Sequence, residues 1–197
     1  MAILILIKSM KKLFLLLTFS LFTLYFVNAQ ENVEEIYWSE NIRDTFFGVK
    51  FGATEEDVVE AFTKEGFLFE KVSDDFNLRS CIGFWFENRY HSFGGFDWSI
   101  TRVYFANNKF HEINFLRFFA TKESALKYVG SIMSVIESKY YMYEFPIRDN
   151  EYKSHGGYSE DGKFVGISCI SVNKDGQTFY ATILRYSDEK FDPTNEL

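Results

Sequence analysis

The stretch Ser99-Ile-Thr-Arg-Val-Tyr-Phe-Ala-Asn-Asn-Lys-Phe-His-Glu-Ile-Asn-Phe-Leu-Arg-Phe118 carries two runs of alternating side chains around a central Asn107-Asn108 pair. A period of two is strand geometry, because successive side chains of a strand point to opposite faces. Asparagine accepts the positive φ that a two-residue hairpin turn demands, so the pair marks a reversal of the chain. The stretch predicts strands over residues 99–106 and 109–118, paired antiparallel. Thr101, Val103 and Phe105 share one face of the first strand, and His111, Ile113 and Phe115 share a face of the second. A hairpin with one apolar face needs more strands or a helix to cover it.

The flanking sequence supplies both. Thr121 offers an oxygen to the free amides of a helix start, and Leu126, Val129, Met133, Ile136 and Tyr140 recur at spacings of three and four, the stripe of a helix laid against a sheet. Before the hairpin, residues 67–72 and 82–90 read as two further strands. Upstream of those, Thr54 with Asp57 three residues on resembles a capping box, and Glu55 and Glu56 complement the helix dipole. Val58, Val59, Ala61 and Phe62 give that helix its apolar face, Lys64 its end, and Gly66 its stop. Beyond the second helix, a polar stretch around His155-Gly156-Gly157 leads to strands over residues 164–172 and 178–186, joined by a turn containing Asp175-Gly176. The expected fold class is α+β, with two helices packed on an antiparallel sheet.

The beginning of the 197-residue chain is of another kind. Lys11 and Lys12 precede an apolar run from Leu13 to Val27, and Val27-Asn28-Ala29 stands just before Gln30. Positive charge, a short apolar core and small exit residues read as a secretory signal peptide, cleaved between Ala29 and Gln30, with Met10 a candidate for the true start. The run is shorter than the roughly 20 residues a membrane helix needs, so no stable span is expected after cleavage. The expected organisation is a signal peptide over 1–29, an acidic lead-in over 30–45, a single α+β domain over 46–187 and a frayed tail over 188–197, in a periplasmic or secreted protein. Losing Lys8, Lys11 and Lys12 and no acid takes the net charge from −7 to about −10. With no basic run to offset that charge, nucleic acid is not an expected partner.

Two cysteines remain, Cys81 and Cys169. Outside the cytoplasm they either close a long loop as a disulfide or serve as two small buried apolar residues, and both readings stay open. Phe51-Gly-Ala-Thr-Glu-Glu-Asp-Val-Val-Glu-Ala-Phe62 aligns without gaps on Phe118-Phe-Ala-Thr-Lys-Glu-Ser-Ala-Leu-Lys-Tyr-Val129. This is either a tandem repeat of a helix-then-strands unit, with halves 46–118 and 119–187, or simply what helix starts favour. With its export signal, paired halves and aromatic-rich sheet, the mature chain resembles the β-lactamase-inhibitor-protein-like α+β domains of secreted bacterial proteins. Gly48-Val-Lys-Phe-Gly52 followed by Thr54-Glu-Glu, Gly66-Phe67 and Phe93-Gly-Gly-Phe96 is similar to small exported bacterial domains of unknown function. The resemblance implies a non-catalytic module presenting a sheet surface to a protein or ligand, and it carries over no site residues.

Reactive groups are sparse. His91, His111 and His155 lack the His-x-x-x-His spacing of a metal site, and the cysteines lack Cys-x-x-Cys. No Gly-x-Ser-x-Gly elbow occurs, and Ser154 and Ser159 are neighbours of His155 in sequence alone. Glu34-Glu35, Glu55-Glu56 and Asp74-Asp75 read as caps or solvated loop charges, and Gly94-Gly95 and Gly156-Gly157 lack the spacing of a phosphate loop. The reading assigns no catalytic residue, no metal and no cofactor.

One region stands out by its rings. Trp85, Phe86, Tyr90, Phe93, Phe96 and Trp98 crowd together with Arg89, His91 and Asp97. Such rings either stack on a sugar or anchor a protein partner, or they build a core from Phe in place of Leu. The candidate ligand-binding set is Trp85, Arg89, Tyr90, His91, Phe93, Phe96, Asp97 and Trp98. The expected function is a non-catalytic binding module for an unidentified protein or carbohydrate, using residues 87–98 or an exposed sheet face. The competing reading is a hydrolase of envelope or extracellular polymers, with His155 or nearby carboxylates as acid or base. Convergence of His91, Asp97 and His111 in a cleft would favour catalysis.

Overall fold

The computed structural model describes residues 37–72 and 79–191. Phe47 and Gly48 turn at positive φ between the short strands β1 (Thr45–Phe46) and β2 (Val49–Lys50). Helix α1 (Glu55–Lys64) starts on a full capping box, in which Thr54 Oγ1 accepts from the Asp57 amide and the Asp57 carboxylate accepts from the Thr54 amide. Gly66, at φ 88°, turns the chain out of the helix in a conformation that strains other residues. Next come strands β3 (Leu68–Val72) and β4 (Arg79–Trp85), then a small hairpin of β5 (His91–Phe93) and β6 (Phe96–Trp98). Strands β7 (Ile100–Ala106) and β8 (Lys109–Phe119) are joined by Asn107 and Asn108 at φ 49° and 58°. Helix α2 (Lys122–Ile136) is capped by Thr121, whose hydroxyl accepts from the Ser124 amide. Strands β9 (Tyr143–Glu144), β10 (Glu151–Tyr158), β11 (Lys163–Lys174) and β12 (Gln177–Asp188) follow, closed by a 3-10 turn (Glu189–Phe191).

Eight strands form one antiparallel sheet in the order β3-β4-β7-β8-β12-β11-β10-β9. Apart from the inserted β5–β6 hairpin, each half is a four-strand meander preceded by one helix, and the meanders meet at their last strands, β8 and β12. The inner face is set by register: Val103 opposes Ile113, Thr101 opposes Phe115, and Tyr186 and Leu184 extend these rows across β12. A bulge between Tyr104 and Phe105 sets Phe105 opposite Phe110, so His111 leaves the face expected for it beside Ile113.

The α+β class expected from the sequence does not hold. Strands take 51% of the described residues and helix 19%, and the eight-stranded sheet dominates. The difference has a physical cause. The glycine-containing stretch around His155-Gly156-Gly157 is strand β10 inside the sheet, although glycine carries no intrinsic strand signal. The helices are also only part of the layer that covers the inner face. From α1, Phe62 packs on Phe84 with centroids 4.3 Å apart, and the Thr182 hydroxyl of β12 donates to the Ala125 carbonyl of α2 at 3.1 Å. The rest of the layer is aromatic side chains from the two hairpins. Phe46 lies 6.2 Å from Phe115, Phe93 stacks on Phe115 at 4.0 Å, and Trp98 is fully buried. Such ring pairs add about 0.5–1.5 kcal/mol each beyond the area they bury.

Cys81 in β4 and Cys169 in β11 are both buried, and no disulfide joins them. Their strands stand four places apart in the sheet, about 19 Å at the usual strand spacing, against a Cα separation of about 4.4–6.8 Å for a disulfide. The disulfide reading is thereby corrected to two buried thiols. The described part of the lead-in is tied down: the Ser39 amide donates to the Tyr158 carbonyl at 2.8 Å, and Ile42 is buried. The tail expected to fray keeps order through Phe191, whose ring sits over Gly52, 2.8 Å from where a Cβ would stand. By contacts the chain divides into Met1–Tyr37 and Trp38–Leu197, and all described residues but Tyr37 belong to the second unit. The expected signal peptide over 1–29 with Met10, the pairs Glu34-Glu35 and Asp74-Asp75, and residues 192–197 lie outside the described residues. Among the described residues, no helix is long and apolar enough to cross a membrane.

Candidate functional site

The face of the sheet turned away from the helices carries a groove of about 580 Å³. Three transverse rows, each crossing β8, β12, β11 and β10, supply most of the strand residues that line it. Register aligns Glu112, Ser187, Phe164 and Tyr158 in one row, Asn114, Arg185, Gly166 and Gly156 in the next, and Leu116, Ile183, Ser168 and Ser154 in the third. The two glycines of the middle row make room for aromatic rings. A Cβ on Gly166 would stand 2.5 Å from the Phe164 ring, and one on Gly156 would run into Phe145 and Phe164. The Phe164 ring therefore lies over the glycine pair, flanked by Tyr158 at 4.8 Å and by Phe145, nearly parallel to it, at 6.2 Å. Phe145 begins the segment that leads from β9 to β10, and Pro146, Ile147 and Arg148 continue it as the groove's outer wall.

The polar side of the groove is a connected network. Arg185 Nη2 lies 2.8 Å from Glu112 Oε2, and Asn114 Nδ2 donates to Glu112 Oε1 at 2.8 Å. Glu112 is almost fully buried while Arg185 remains partly exposed, so the carboxylate orients the guanidinium toward solvent beside the Phe164 ring, 5.4 Å from its centroid. Among the described residues, Asn114 Oδ1 has no hydrogen-bond partner. Glu112 also contributes to raising the phenol of Tyr104 to about 12, although burial is the larger cause. At the end of the groove burial pushes the carboxyl of Asp188 up, and burial followed by the charge of Glu189 does the same to the Tyr158 hydroxyl.

The eight residues singled out in the sequence do not form one surface. His91 and Trp98 are buried, the latter donating its indole N–H to the Phe93 carbonyl at 3.1 Å. Phe93 and Phe96 pack against the core, Phe93 on Phe115 and Phe96 edge-on to Tyr128 at 5.8 Å. Trp85 is half-buried on β4 in register with Leu68, while Arg89, Tyr90 and Asp97 are exposed. His91 Nε2 lies 2.7 Å from Thr101 Oγ1 inside a cage of Phe67, Phe86 and Phe115, and burial lowers its pKa to about 4. His91, Asp97 and His111 do not meet in a cleft: His91 and His111 are buried on different strands and Asp97 is exposed. His155 falls in register with Ile167, both are among the residues lining the groove, and the His155 pKa is lowered by burial and then by Lys153. Among the described residues, no group of three or more His, Cys, Asp or Glu is placed to hold a metal ion.

Sequence reasoning missed Glu112, Asn114, Phe145, Phe164, Gly166 and Arg185. The nearest available signal was Gly156-Gly157, but its meaning depends on Gly166 standing opposite Gly156, which only register reveals. Comparison with known proteins gives no outside guide, since no protein-family model, curated protein or solved structure matches the chain.

Proposed function

We propose that this protein is an exported, non-catalytic binding module that takes a carbohydrate in the groove of its open sheet face. The observation that carries the reading is the Phe164 ring, whose far edge lies over Gly156 and Gly166 and which is bordered by the Arg185–Glu112–Asn114 network. A flat apolar ring beside fixed planar hydrogen-bonding groups suits a pyranose, which offers C–H faces to one and hydroxyls to the other. The volume of about 580 Å³ lies within the range of small-molecule sites and has room for more than one sugar unit. Binding without turnover fits the groove's two glutamates. Glu112 is committed to Arg185 and Asn114, and Glu151 accepts the Arg148 amide at 3.1 Å, so both already serve structure.

Calorimetric titration with oligosaccharides of bacterial envelopes and extracellular polymers tests this reading. Wild-type protein should bind at least one of them, and Phe164→Leu and Arg185→Met should each weaken that binding about tenfold or more. Binding untouched by either change, or no binding to any sugar, would overturn the groove as a carbohydrate site. Release of reducing ends from a bound oligosaccharide would overturn the non-catalytic part alone.

A further inference from the structure

On the opposite face of the sheet, at the end of β8, we infer that Arg117 forms an oxyanion-binding site roofed by Tyr90. The guanidinium of Arg117 lies 3.3 Å from the centroid of the Tyr90 ring and 5.9 Å from that of Phe119. Its Nε and Nη1 are shielded from solvent and have no hydrogen-bond partner, and no acid pairs with it among the described residues. Arginine cannot shed its proton at accessible pH, so the fork stays charged and its donors unused. Ring contact offsets part of that cost, but a planar fork held against a ring is also a preorganised receptor for a carboxylate, sulfate or phosphate. Tyr90 is the roof that must move. Tyr90 is 54% exposed and follows the tight turn at Asn88, so its ring can change rotamer on the surface.

A second cation held over a ring, Lys122, follows in the chain. Phe119 stands opposite Tyr180, the Tyr180 ring packs 5.7 Å from Tyr152, and Lys122 Nζ lies 4.1 Å over the Tyr152 ring. Lys122, like Arg117, is held by an aromatic ring with no acid beside it among the described residues. This site lies across the sheet from the groove and does not rest on the carbohydrate reading.

The test is nuclear magnetic resonance of arginine Nε–H groups in the full chain during titration with sodium sulfate, phosphate, acetate and glucuronate, against sodium chloride at equal ionic strength. The Arg117 signal, assigned by its loss in Arg117→Lys, should shift saturably with at least one oxyanion and not with chloride. Saturation with glucuronate alone would identify a uronic-acid group as the source, and saturation with sulfate or phosphate an ester or free anion. Tyr90→Ala should preserve the saturable shift, and the Tyr90 ring signals of Arg117→Lys should respond roughly tenfold more weakly than those of wild type. A shift that never saturates, or that chloride reproduces, would overturn the site whether or not either variant folds well.

Discussion

If His91 is a core residue, stability must depend on pH in a way that a surface ligand-binding histidine would not produce. The side chain is 3% exposed, bonded to Thr101 and enclosed by phenylalanine rings, and its pKa falls from 6.5 to about 4, chiefly through burial, with the charge of Asp97 opposing. Between these two values the unfolded chain takes up a proton that the folded protein refuses. The stabilisation is therefore complete above about pH 6.5 and is lost as pH falls toward 4, at about 1.36 kcal/mol per pH unit, or about 3 kcal/mol in all. That is a large part of the 5–15 kcal/mol typical of a domain. Urea unfolding measured from pH 7.5 to 4, for wild type and His91→Gln, isolates the effect, because carboxylates such as Asp44 and Asp57 contribute equally to both proteins. The wild-type advantage should shrink steadily across the window. A difference that stays constant between pH 6.5 and 4, or an imidazole resonance of His91 that titrates near 6.5, would refute the reasoning.

Three further outcomes follow from the geometry. Gly166→Ala sets a methyl against the Phe164 ring and should cost about 1–3 kcal/mol in denaturant unfolding, part of which Phe164→Ala restores in the double variant. Arg185→Ala leaves the buried Glu112 carboxylate without its cation and should cost about 1–3 kcal/mol, with Glu112→Gln added to it recovering stability. The thiols of Cys81 and Cys169 should be silent to an aromatic disulfide reagent in the folded protein and react as two on unfolding, and a reductant should leave the melting temperature unchanged.

Much of the local structure was legible because local forces decide it. The capping box at Thr54 and Asp57, the stop at Gly66 and the Asn107-Asn108 reversal depend on groups within four residues of one another, and all three occur in the positions their side chains dictate. The strands over 67–72, 99–106, 109–118, 164–172 and 178–186 were readable because alternating or apolar runs are long there, whereas β9, β10 and the β5–β6 hairpin were not. Those elements are short or rich in glycine, and they exist because neighbours hold them. The cluster from Trp85 to Trp98 shows the same limit. Its rings are visible in sequence, but whether a ring is core or surface depends on what packs above it, and Phe115 takes Phe93 and Trp98 inward while Tyr90 stays out.

By itself the sequence determined the paired hairpin, the two capped helices and an acidic chain with few reactive groups. Those properties reside in composition and in contacts only a few residues long. Only the tertiary structure decided that sheet outweighs helix, that the cysteines stand too far apart to bond, and that Glu112, Arg185, Phe164 and two glycines converge. Each depends on the register of strands distant in sequence, and a shift of one residue would send every one of those side chains to the other face.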